Sequence, residues 1–201
     1  FWRVRAIDHL GNQGANSAAR GFLVDTGAGQ VVLSSPADGN QTKNPAVSLQ
    51  LSALSDSVGI DSYIFEVSKA LAFSTVIFAD TVDGSQTADT FNATTNDTYF
   101  WRARAIDNLG QSGANSAVRG FVVDTSAAQV TALSPADALE TRAGSVVVSW
   151  TAAPDSVGID SYAVEVSKNA AFTALSVSDT IDGSTASGSW TRPPRRSGPA
   201  S

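Results

Sequence analysis

YFWRARAID, residues Tyr99 to Asp107, alternates in side-chain character at every second position. Tyr99, Trp101, Ala103 and Ala105 fall on one face, and Phe100, Arg102, Arg104 and Ile106 on the other. A period of two is the mark of a β-strand with a core face and a solvent face, and the arginines mark the wet side. Working outward, Val47, Leu49 and Leu51 alternate with Ser48, Gln50 and Ser52, and Tyr63, Phe65 and Val67 with Ser62, Ile64 and Glu66. Phe121 and Val123 give a last strand, Val31 to Leu33 a first, and 76–81 and 90–93 two weaker middle ones. Clusters of Gly, Pro, Asn and Asp separate these runs, and no helix-length 3.6-residue pattern competes.

The same stretch exposes a repeat. FWRARAIDNLG at 100–110 is preceded by FWRVRAIDHLG at 1–11, GANSAVRGFVVDT at 113–125 by GANSAARGFLVDT at 14–26, and DSVGIDSY at 56–63 returns at 155–162, always 99 residues apart. Solenoid units run about 20 to 50 residues, so this period is a whole domain, each unit owning its core. Phase then sets the domain plan. Residues 1–26 are the last hairpin of one repeat, 27–125 a complete repeat, 126–190 a third repeat without its last two strands, and 191–201 (TRPPRRSGPAS) a tail with the composition of a disordered segment. That tail is consistent with a frameshift, a scar or a natural terminus. A chain that starts at Phe1 and has no methionine reads as a piece of something longer.

About seven strands per 99 residues gives an all-β fold class: tandem two-layer sandwiches. In the order of its strands, with GIDSYIFEVS, then NDTYFWRARAID, then FVVDT before a Pro-bearing SPAD segment, the chain resembles the fibronectin type III and related immunoglobulin-like repeats of bacterial secreted and surface proteins. Tyr99 stands where that family places its tyrosine-corner residue, whose hydroxyl bonds back to the backbone. The resemblance implies an extracellular or cell-surface spacer or adhesive repeat, with an accessory substrate- or carbohydrate-binding module of a secreted hydrolase as the alternative. It implies neighbouring repeats as partners, with protein or carbohydrate at the cell surface beside them. The arginine-glycine-aspartate loop of some animal members is absent, the corresponding turn reading DNLGQSG.

Composition removes other classes. Thirteen Lys plus Arg against 19 acids leave a net charge of −6, so a nucleic-acid surface has no electrostatic basis. No run approaches the roughly 18 apolar residues of a membrane span. No cysteine and one histidine exclude disulfides, thiolate metal sites and most catalytic triads. His9 stands where the other copy has Asn108 and reads as a turn residue. No catalytic residue is assigned, and no cofactor other than calcium is implied.

Two readings remain open for the acidic loops. Asp8 and Asp107 open Asx turns completed by Gly11 and Gly110. In a sandwich of this topology, however, the loop before the strand at 62–67 and the loop after the strand at 99–107 share one pole with the preceding linker. Asp25, Asp56, Asp61 and Asp107 would then approach one another and hold Ca²⁺ at a domain junction. Phe100, Arg102, Arg104 and Ile106 form a contact patch for a neighbouring repeat. Asn40, Asn92 and Asn96 begin N-x-T sequons, incidental in a bacterial protein. Trp2, Trp101, Trp150 and Trp190 read as core more than as sugar-stacking platforms. Finally, each partial repeat has what the other lacks. Insertion of 1–26 into 126–190 would complete a sandwich within one chain, or link copies head to tail, while a plain array fragment would keep loose ends.

Overall fold

The computed structural model describes residues 1–191, with the side chains of 189–191 left aside. Strands β1 (Leu33–Ser35), β3 (Ala46–Leu51) and β6 (Ala88–Asn92) form one sheet in the order β1-β3-β6. Strands β2 (Asn40–Thr42), β4 (Ile60–Ser68), β5 (Val76–Asp83), β7 (Asp97–Asp107) and β8 (Arg119–Val123) form a second in the order β2-β8-β7-β4-β5. The inward residues are those the alternation selects. Leu49, Phe65, Val67, Trp101, Ala103, Ala105, Phe121 and Val123 have no exposed surface, and Tyr63 and Tyr99 almost none. Phe65 stacks on Trp101 at 6.3 Å, while Tyr99 meets Phe91 edge-on at 5.1 Å and lies against Phe121 at 5.6 Å. Burial of each such side chain is worth about 1.5–3 kcal/mol, so this aromatic layer supplies much of the fold's stability.

The tyrosine corner is in place. Tyr99 Oη donates to the Thr95 carbonyl at 2.7 Å, closing the turn that leads into β7. Strand β2 is a feature that alternation does not signal, since Asn40-Gln41-Thr42 carries no apolar residue. It pairs in parallel with β8, Asn40 opposite Phe121 and Thr42 opposite Val123.

The third repeat follows the same plan. Strands β9 (Ala132–Ser134), β10 (Ser145–Trp150) and β13 (Ser187–Thr191) form a sheet in the order β13-β10-β9, and β11 (Ser161–Ser167) pairs with β12 (Leu175–Asp182). These match β1, β3, β6, β4 and β5, and among the described residues there is no counterpart of β7 or β8. Trp150 packs edge-on against Tyr162 at 5.2 Å, beside an apolar cleft of about 370 Å³ that Val130, Val148 and Val164 also line.

Residues 1–26 form a hairpin that reproduces β7 and its return. Ser17 N–H donates to the Val4 carbonyl as Ser116 N–H does to that of Ala103, and both serine hydroxyls accept from the residue across, Val4 or Ala103. The hairpin closes on itself through Trp2 and Arg20, which exchange both backbone hydrogen bonds at 2.8 and 3.0 Å. Its ladder is to itself, and Trp2 and Val4, expected on a packed face, are 52% and 60% exposed. Of the expected core tryptophans, Trp101 and Trp150 are buried; the Trp190 side chain and the tail from residue 192 lie outside the described residues.

By compactness the chain divides into two units. One comprises Phe1–Pro36, Ser48–Thr90 and Trp101–Arg119, the other Ala37–Val47, Phe91–Phe100 and Gly120–Ser201.

Candidate functional site

Within the first unit, three segments converge at one pole of the complete sandwich. The turn after β7 is built by Asp107. Its Oδ1 accepts from Leu109 N–H and Gln111 N–H, both at 2.8 Å, and Gly110 N–H returns to the Asp107 carbonyl. Asn108 then ties this turn to the loop before β4, donating from Nδ2 to the Val58 carbonyl at 2.8 Å and from its backbone to the Gly59 carbonyl. In that loop Asp56 is folded back by an Asx bond from Val58 N–H at 2.9 Å.

The linker is held as closely. Gln111 Nε2 donates to the Asp25 carbonyl at 3.3 Å, Gln30 Nε2 to the Asn115 carbonyl at 2.5 Å, and Ser57 Oγ to Asp25 Oδ1 at 2.7 Å. Gly113 is required here, because a Cβ at that position would collide with the carbonyls of Ala28 and Gly29. The Ser57 hydroxyl holds the Asp25 carboxyl below the usual carboxylate range, against an opposing push from burial.

These constraints bring one carboxylate oxygen each of Asp25, Asp56 and Asp107 within 4.8 Å of one another. Asp107 is fully buried, and Asp25 and Asp56 are half-buried. Asp25 Oδ2 and Asp107 Oδ2 are both buried without a hydrogen-bond partner. Asp61 does not belong to the group. It lies in β4, where its carbonyl accepts from Gly84 N–H and its side chain faces water.

The second unit repeats the linker contact. Ser156 Oγ donates to Asp124 Oδ2, as Ser57 does to Asp25, and this hydroxyl lowers the Asp124 pKa. Asp124 Oδ1 accepts from Asn96 Nδ2 at 2.7 Å, a contact that places this sequon asparagine in the junction. Neither this role of Asn96 nor the serine clamp was evident from the sequence; recurrence of Ser beside Asp in both DSVGIDSY copies was the available signal. An open cleft of about 380 Å³ lies beside Asp124 and Asp155.

The expected contact patch is largely engaged within its own sheet. Arg102 Nε donates to Glu66 Oε2 at 2.7 Å, Arg104 lies 3.5 Å from Glu66 Oε1, and the Arg102 guanidinium sits 4.2 Å over the Phe73 ring. Phe100 and Ile106 are half-buried, Phe100 lying over Gly120. His9 is an exposed turn residue.

The strand order, with three strands facing a five-stranded sheet in which β5 pairs β4, together with the tyrosine corner, decides the kind of sandwich. The fold is fibronectin(III)-like. No family model matches the sequence, and no curated protein does. Among solved structures it is similar to the fibronectin(III)-like modules of Clostridium thermocellum CbhA, at 17% identity and TM-score 0.37, covering 47% of this chain and 96% of that one. It is also similar to the FN1–FN3 domains of chicken CNTN1, at 16% identity and TM-score 0.40, covering 94% of this chain and 64% of that one. An engineered protein matches at 21% identity and TM-score 0.34, over 47% of this chain and 20% of that chain. No helix of the described residues is long and apolar enough to cross a membrane.

Proposed function

We propose that this chain is part of a structural and adhesive spacer in an extracellular bacterial surface protein, with neighbouring repeats as its partners. The observation that carries this reading is the junction built the same way twice. Ser57 to Asp25 and Ser156 to Asp124 are one contact at two successive linkers, and Tyr63 and Tyr162 each accept through Oη from the backbone of the loop before their strand, at 2.9 and 3.2 Å. Such repetition suits a unit made to be concatenated. A carbohydrate-binding accessory module would call for a row of exposed aromatics. On the complete sandwich Phe73 lies under Arg102 and Phe100 over Gly120, which gives that reading no support.

Pulling the full chain between handles in a single-molecule force experiment is expected to give one cooperative event for the complete sandwich, releasing roughly 300 Å of contour length at about 3.5 Å per residue. Extension without a resisting event, together with saturable binding to a glycan array, would overturn the spacer role in favour of the accessory module.

A further inference from the structure

We propose that Asp25, Asp56 and Asp107 form a calcium site that fastens the linker to the two loops at this pole of the sandwich. Three carboxylate oxygens within 4.8 Å of one another fit around a single ion. At Ca–O distances of about 2.4 Å, ligands on opposite sides of an ion are about 4.8 Å apart. Calcium accepts irregular sets of six to eight oxygens, so water fills the places that the carboxylates leave; magnesium demands a tighter octahedron.

The buried, unpartnered Asp107 Oδ2 is the independent sign of a ligand. The preceding copy of the turn shows the same carboxylate with its second oxygen capped. Asp8 accepts from Leu10 and Asn12 N–H through Oδ1, as Asp107 does from Leu109 and Gln111, but its Oδ2 is capped by Asn12 Nδ2 at 2.9 Å. At Asp107 the corresponding side chain is Gln111, and its amide turns to the Asp25 carbonyl instead. The second carboxylate oxygen is left bare at the point where Asp25 also presents a bare oxygen. The other partners of these groups are a serine hydroxyl and backbone N–H groups, all neutral. A divalent cation supplies the missing positive charge.

The test uses the full chain, stripped of divalent ions. A weak, water-open site of the module class has a Kd of roughly 10⁻⁴–10⁻³ M. At 10 mM CaCl2 the thermal midpoint is then expected to rise by roughly 5–15 °C, and MgCl2 to give a much smaller rise. Asp56→Asn and Asp107→Asn are each expected to abolish the rise and the calcium heat in isothermal titration, whereas Asp61→Asn keeps both. Should Asp107→Asn fail to fold, Asp56→Asn decides, since its loop is also held by Asn108. An unchanged midpoint in the unaltered chain would overturn the site and assign the approach of Asp25 to Asp107 to a shared proton. A rise that survives Asp56→Asn would equally overturn it, placing the ion elsewhere. Failure here leaves the spacer reading standing, which the force and glycan experiments decide separately.

Discussion

Tyr99→Phe removes one oxygen atom from the protein and tests whether the corner at the start of β7 stabilises the sandwich. Tyr99 is almost fully buried, and its hydroxyl donates to the Thr95 carbonyl at 2.7 Å and lies 3.0 Å from Thr95 Oγ1. The ring and its contacts with Phe91 and Phe121 survive the change, so no cavity larger than the oxygen appears. What is lost is one short hydrogen bond, worth about 0.5–1.5 kcal/mol net, and part of a second. Thr95 is exposed, so water can re-satisfy its carbonyl and the larger penalty of a buried orphan does not apply. The expected destabilisation is about 1.5 kcal/mol. With a urea m-value of about 1.5–2 kcal/mol/M, the unfolding midpoint falls by roughly 0.75–1 M. Urea unfolding followed by tryptophan fluorescence, with Thr95→Ala as a background that keeps the backbone acceptor, measures it. A loss below about 0.3 kcal/mol with unchanged m would refute the idea that the corner is a stabilising bond.

Glu66→Gln leaves Arg102 and Arg104 without their shared carboxylate; given its partial burial, a loss of about 1–2 kcal/mol in chemical denaturation is expected. Gly113→Val drives a side chain into the Ala28 and Gly29 carbonyls, so amide protection at residues 25–30 should fall in hydrogen exchange while that of β4 is kept. The Ser85 hydroxyl holds the Asp83 carboxyl below its ordinary value of 3.8. A depressed folded pKa contributes stability above that ordinary value and loses it as pH falls through the folded pKa, so Ser85→Ala should move the Asp83 titration up towards 3.8 by NMR and narrow this acid window. The exposed Trp2 and Val4 and the half-open layer at Trp150 and Tyr162 predict concentration-dependent association, residues 1–26 of one copy entering 126–190 of another. Light scattering should show it weakened by Trp2→Ser.

Most of the sandwich is legible in the sequence because burial on one face forces a period of two, as along Tyr99 to Ala105. Strand β2 is not, because Asn40-Gln41-Thr42 buries little and owes its place to a parallel partner 81 residues on, Asn40 opposite Phe121. Of the four acidic residues that topology draws to one pole, Asp25, Asp56 and Asp107 meet and Asp61 does not. The difference is in where the carboxylates turn: those of Asp56 and Asp107 curl back on Asx bonds, while that of Asp61, in β4, is exposed. The arginines at 102 and 104 look like open surface in one dimension. Their common partner Glu66 lies on the adjacent strand, which alternation alone cannot register against β7.

Asn12 and Gln111 differ by a single methylene, and their amides end in different places: the one back on its own turn, the other on the Asp25 carbonyl of the passing linker. Along a row of near-identical beads, joints of two characters can therefore be written with one codon each, self-sealed where asparagine stands and open for engagement where glutamine does, without altering the bead itself.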